Sequence, residues 1–198
     1  MDNLVEAATK KESIIALHKA FIEYKEDSLE APSELQEVEH YERVKSWCKL
    51  IDIEKVLVVP TVTKLPANHI LRHVKCNHRL SGIIGSYEAL QPNVYLIADK
   101  IKSFDQALSI IKHEAWGHRA CVTHFGAEFQ QNCLDSYLLI PVNKRKFIAS
   151  EYSLTEEDSK HRFILVQEYI AQASESAEDE VCFLKRVAQF LSINSSVT

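Results

Sequence analysis

Glycine and proline are scarce in this chain, four and five among 198 residues, and that scarcity favours a helix-rich fold. Its five cysteines, Cys48, Cys76, Cys121, Cys133 and Cys182, lie far apart and form no C-x-x-C pair. That spacing excludes a zinc ribbon or a disulfide scaffold, and reduced, mostly buried thiols are expected. No apolar run approaches the roughly 18 residues of a membrane span, and the opening "MDNLVEAATKKES" lacks the apolar core of a secretory signal. No membrane partner is expected, and the expected setting is the cytoplasm or that of an effector delivered without a Sec signal. Positive charge is not in excess either: the formal net charge is −5, and the one compact basic cluster is "NKRK", Asn143 to Lys146. No nucleic-acid partner is expected, and the cluster reads as a solvated loop.

What remains is the composition of a soluble globular protein, 46% hydrophobic and 26% charged, which excludes disorder and fibrous architectures. The length suits one domain with a sizeable core. Ile14, Ile15, Leu17, Phe21 and Ile22 repeat at helical spacing, and Ser33 with Gln36 forms a capping-box signature for a second helix running to about Leu50. Residues 1–54 therefore read as a helical extension packed on a core domain of residues 55–198. Three β-branched or aromatic runs follow, Val56 to Val59, Ser81 to Tyr87 and Val94 to Asp99. The last two suit a hairpin, and a short helix is expected from Pro66. Beyond Ser103, which with Gln106 offers another capping box, the pattern is helical. A long helix stops at Gly126, a second spans Ala127 to Leu139, and "IPVNKRKFIASEYS" reads as a loop. Further helices are expected over Thr155 to Ser174 and Ala177 to Leu191. The fold class is α+β, helix-rich, with a small sheet of about three strands.

The chemistry concentrates in "IIKHEAWGHRA", Ile110 to Ala120. Two ligands to one metal must point the same way, yet at about 100° per residue a separation of five puts His113 and His118 about 140° apart on a regular helix. One π-type turn removes the mismatch, and Gly117 would ease such a distortion. A metal site would justify the roughly 1 kcal/mol that a glycine costs a helix.

His113-Glu114-Ala115-Trp116-Gly117-His118 matches H-E-x-x-G-H and is similar to the zinc motif of dipeptidyl peptidase III-like peptidases. The wider stretch "VYLIADKIKSFDQALSIIKHEAWGHRA" resembles the metallopeptidase domain of large polyvalent proteins of phages and mobile elements, over roughly Val56 to Ser176. The resemblance implies a zincin-like fold, a Zn2+ cofactor and a peptide or protein substrate. It makes His113 and His118 ligands and Glu114 the base that works on a metal-activated water. Such families draw a third ligand from a later helix with the form E-E-x-x-A-E, and "QEYIAQ", Gln167 to Gln172, aligns Glu168 with that ligand. Gln167 and Gln172 replace flanking acids that would orient the ligands, so either their carbonyls accept the same hydrogen bonds without the charge, with weaker metal affinity, or another acid such as Glu128, Asp135 or Glu175 stands in. A donor to the developing oxyanion is expected from Tyr152, His161, Arg162 or Tyr169, although Tyr169 lies about 100° from Glu168 on a helix.

Blander readings stay open. His113 and His118 would be solvated helix residues in a metal-free adaptor, or ligands in a zinc-stabilised interaction module without turnover. His69, His73 and His78, with Cys76 nearby, have the residue types of a second metal cluster, and read as surface or partly buried residues of a short helix. His124 reads as a cation at a helix end.

Overall fold

A computed structural model describes residues 34–67, 69, 85–88 and 91–192. The first expected helix lies outside them. The described chain is helix-rich and α+β. Helix α1 (Glu34–Ile51) leads into strand β1 (Val56–Val59), and a hairpin of β2 (Gly85–Glu88) and β3 (Gln91–Ile97) completes a three-stranded sheet. The strand order is β1-β3-β2. β3 runs parallel to β1, with Val56 opposite Val94, and antiparallel to β2, with Ser86 opposite Tyr95. Among the described residues no helix is long and apolar enough to cross a membrane.

Strand β3 is central and buried on both faces, as its unbroken apolar run requires. Val94 and Leu96 face the main core, whereas Tyr95 and Ile97 join Val59 and Leu65 in a smaller cluster on the other face. Val44 and Trp47 of α1 belong to the main core. His69 departs from its expected exposure: it is fully buried, with its ring edge-on to Tyr95 at 5.0 Å. The other residues of that histidine cluster, and the helix expected from Pro66, fall mainly outside the described residues.

The long helix expected from Ser103 is one continuous rod of three textures. α2 (Phe104–Lys112) passes into a π-helical segment (His113–Ala120) and then into α3 (Cys121–Phe125). Ser103 caps it by accepting from the Gln106 amide at 3.2 Å. The Gln106 side chain reaches back to the Lys102 amide, one residue beyond the box geometry. Gly126 ends the rod at φ 59° and ψ −141°.

Helix α4 (Phe129–Ser136) follows, flanked by single 3₁₀ turns. Residues expected to form a loop are instead helix α5 (Val142–Tyr152). Only Ile148 of it is fully buried, so it shows no apolar stripe by which to be recognised. Its lysine, arginine, alanine and glutamate favour the helix locally, and Pro141 opens it by accepting from Lys144 and Arg145. Ser153, left-handed at φ 53°, closes it. The basic cluster is thus helical rather than a loop.

Helix α6 (Ser159–Glu175) starts later than expected because Asp158, not Thr155, is its cap, accepting from the Lys160 amide at 2.8 Å. Helix α7 (Glu180–Ser192) likewise begins after Asp179, whose carboxylate accepts from the Cys182 amide. The free thiols divide: Cys121 and Cys133 are buried, Cys48 is half-buried and Cys182 is exposed.

Gly126 has open space around the position of a Cβ, yet its dihedrals suit only glycine. Gly126→Ala should therefore lower the unfolding free energy by roughly 1–3 kcal/mol through backbone strain alone. Urea denaturation measures this, and an unchanged midpoint would refute the strain.

Candidate metal centre

The π-helical segment supplies the geometry that the five-residue spacing demands. Its hydrogen bonds run from residue i to i+5, so His118 comes to lie above His113 on one face. The two Nε2 atoms stand 3.3 Å apart. Glu168 of α6 completes a triangle, with Oε2 3.3 Å from His113 Nε2 and Oε1 3.5 Å from His118 Nε2. All three side chains are only 11–14% exposed.

Gly117 is needed for a reason other than flexibility. Its φ is not in the left-handed region, but a Cβ there would lie 2.4 Å from the Ala171 Cα and 2.6 Å from the Ala171 Cβ. The backbones of α6 and the π segment touch at this point. Two small residues, Gly117 and Ala171, thereby set the depth at which Glu168, one turn earlier on α6, meets the histidines.

A π segment shifts the ladder of backbone hydrogen bonds, and side-chain donors reach one carbonyl just before it and one within it. The Ser174 hydroxyl reaches the Lys112 carbonyl at 2.9 Å, and the Cys121 thiol reaches the Trp116 carbonyl at 3.4 Å. Lys112 Nζ donates to the Ala177 carbonyl at 2.6 Å while lying over the Trp116 ring. Trp116 and Cys121 are core residues.

Of the acids weighed as stand-ins for the missing glutamates, Glu175 takes the place. Its Oε1 accepts from His113 Nδ1 at 2.9 Å, and its Oε2 accepts from the Ser109 hydroxyl at 2.8 Å. That bond fixes the His113 tautomer and turns Nε2 toward the triangle. Glu128 is exposed, and Asp135 accepts from Gln131 instead.

The four proposed donors separate. The Tyr152 hydroxyl faces Glu168, lowering the pKa of that carboxyl and having its own raised, first by burial and then by the negative charge of Glu168 and Glu114. His161 Nδ1 accepts from the Thr155 amide at 3.1 Å. Arg162 lies over the Tyr137 ring, and Tyr169 packs on Phe190. The structure brings only Tyr152 to the triangle. Glu114 adjoins it, close enough that its charge also raises the His113 pKa.

The triangle fits zinc. Four tetrahedral ligands at about 2.0–2.1 Å stand roughly 3.3–3.4 Å apart, close to the edges found here. Glu168 Oε2 is buried, makes no well-formed hydrogen bond and has the His113 imidazole 3.3 Å away, so a cation at the centre of the triangle would complete the surroundings of a buried charged oxygen. Two imidazoles and a carboxylate are ordinary zinc donors.

Two outcomes follow. Gly117→Ala should cost about 1–3 kcal/mol by overpacking against Ala171 and weaken metal binding with it. Calorimetric zinc titration and urea melts read the two effects, and a fully stable variant with unchanged affinity would refute the close packing.

The second concerns the metal-free chain. Burial pushes the His113 pKa down, but Glu168, Glu175 and Glu114 outweigh it and hold the group up at about 10. His118 is depressed to about 4, mainly by burial and further by the His113 charge, against the pull of Glu168. His113 thus contributes stability that is complete below its ordinary 6.5 and lost as pH rises toward about 10. His118 costs stability as pH falls from 6.5 toward about 4. Glu168 and Glu175, both lowered, add stability that is lost below the ordinary 4.5. The urea midpoint of chelator-treated protein should therefore peak near pH 6.5. A midpoint that keeps rising into the alkaline range would overturn the charged His113.

No family model, curated protein or solved structure matches this chain, so what the site does has to be read from its own geometry.

Proposed function

We propose that this protein is a zinc-dependent peptidase that hydrolyses a peptide or isopeptide bond. The observation that carries this reading is the triangle of His113 Nε2, His118 Nε2 and the Glu168 carboxylate, with edges of 3.3–3.5 Å. Among the described residues no fourth metal-binding side chain joins it, and three protein ligands are the composition of catalytic rather than closed structural zinc sites. The likeness of "HEAWGH" to the H-E-x-x-G-H motif supports the same reading.

His113, His118 and Glu168 would hold the zinc ion, which would supply Lewis-acid chemistry: a more acidic water and a polarised scissile carbonyl. Glu114 is outside the triangle and adjoins His113 in sequence, and in this reading its carboxylate takes the proton of the attacking water and returns it to the leaving amine. Binding a metal does not require such a residue. The Tyr152 hydroxyl stays protonated and supplies a hydrogen bond to the carbonyl oxygen as negative charge develops there. Glu175 and Ser109 hold the His113 ring in place throughout.

Strand β2 supports a peptide as the substrate class. It lies against the π segment at one edge of the sheet among the described residues, where an extended chain can add as a further strand.

The purified protein should contain close to one zinc per chain by metal analysis, and His113→Ala and Glu168→Ala should lose it. Glu114→Gln should keep the metal and lose at least about 100-fold in cleavage of a proteome-derived peptide pool. Tyr152→Phe should lose about 10–100-fold with its metal content intact. Zinc without cleavage in the wild type would leave a metal-stabilised interaction module. Absence of zinc would remove the metal centre itself.

A further inference from the structure

Tyr137, Arg145, Arg162 and Glu156 form a second polar cluster, where α4, α5 and α6 meet. Both guanidinium groups lie over the Tyr137 ring, with their central carbons 4.7 and 5.8 Å from its centroid. The Tyr137 hydroxyl donates to Glu156. Burial and Glu156 together push that phenol up to about 12 against the pull of the two arginines, so it is a neutral donor.

The arginines are the anomaly. Nε and Nη1 of Arg145 and Nε of Arg162 are buried without a hydrogen-bond partner, and neither side chain makes an ion pair among the described residues. Native proteins leave few buried donors unpaired, and a charged one costs more than a neutral one. Here two like charges share one ring, which adds repulsion to the desolvation of their N–H groups. Contact with the ring face offsets part of this but does not satisfy an in-plane N–H. Each of the two residues as a whole is only half-buried.

We propose that Arg145 and Arg162 form a binding site for a single carboxylate group. The planar guanidinium fork matches a carboxylate, whose oxygens accept two parallel N–H bonds. Charge sets the valence: two arginines and one glutamate leave a net +1, which one monoanion neutralises. A phosphate monoester, carrying about −1.5 to −2 at neutral pH, exceeds it and meets Glu156 as a second negative charge.

The site is separate from the metal triangle. Arg162 precedes Glu168 by six residues, about 9 Å along the axis of α6, and at about 100° per residue it points roughly 120° away. The inference therefore does not rest on the peptidase reading.

The test is calorimetric and thermal-shift titration of the full-length chain at matched ionic strength. The probes are acetate, trialanine, trialanine amide, N-acetylglutamic acid α-amide, whose only carboxylate is that of the side chain, and inorganic phosphate. Acetate should bind and raise the melting temperature. Arg145→Ala and Arg162→Ala should each weaken it about tenfold or more, Arg162→Lys should weaken it less, and Glu156→Gln should tighten it several-fold. Trialanine binding that its amide lacks assigns the carboxylate to a chain terminus, and binding of the glutamate probe assigns it to an acidic side chain. The titrations are repeated in Glu168→Ala, because acetate also binds zinc. Signal that survives there and disappears in the arginine variants supports the site, and the reverse pattern overturns it. Phosphate binding as tight as acetate, or no binding of any carboxylate probe to wild type and Glu156→Gln, overturns it as well.

Discussion

The missing side chain at position 117 is the constraint on which the rest of the centre depends. With no Cβ there, the backbone of α6 comes down onto the π segment at Ala171, a position that any larger residue would close. Three consequences share that depth. Glu168 arrives beside two imidazoles, Ser174 reaches the Lys112 carbonyl where the α-helix gives way to the π segment, and Glu175 arrives at the far nitrogen of His113. The small residue on each helix is thus a statement about distance, and the polar contacts are what that distance makes possible.

The electrostatics follow from the same approach. Burying the Glu168 carboxylate is unfavourable unless positive charge is near, and in the metal-free chain His113 provides it, itself held charged by Glu175 on its other side. His118, buried and next to that charge, is kept neutral with its Nε2 toward the other two groups. One charged and one neutral imidazole against one carboxylate is a set prepared to exchange a proton for a cation, since metal ligation requires the His113 Nε2 lone pair.

Local spacing made the heart of this site legible before any coordinates. A separation of five from His113 to His118 is incompatible with a common face on an α-helix, and a π-helical segment occupies that stretch. Gly117 was informative for a different reason than conformational ease, because a close approach between helices leaves no periodic trace in one chain. Glu175 was one of three acids with nothing to choose among them, since only the docking of α6 brings it to His113. Helix α5 escaped the reading because its stability comes from local propensity and capping, with a single buried residue and no stripe. The arginine pair is invisible in the same way: Tyr137, Arg145 and Arg162 belong to three elements, and their meeting is a tertiary fact. His69, expected at the surface or partly buried, is fully buried against Tyr95, on the face of β3 away from the main core.

Glu168 and Glu175 are separated by seven residues on one helix, nearly two full turns, and so share a face. One of them touches the centre directly and the other steers it through His113, which means that both anionic contributions arrive and depart with a single element. The assembled centre then lasts as long as α6 stays docked on the π segment, and because Leu165, Val166 and Ile170 of that helix lie in the main core, the centre shares the stability of the core itself.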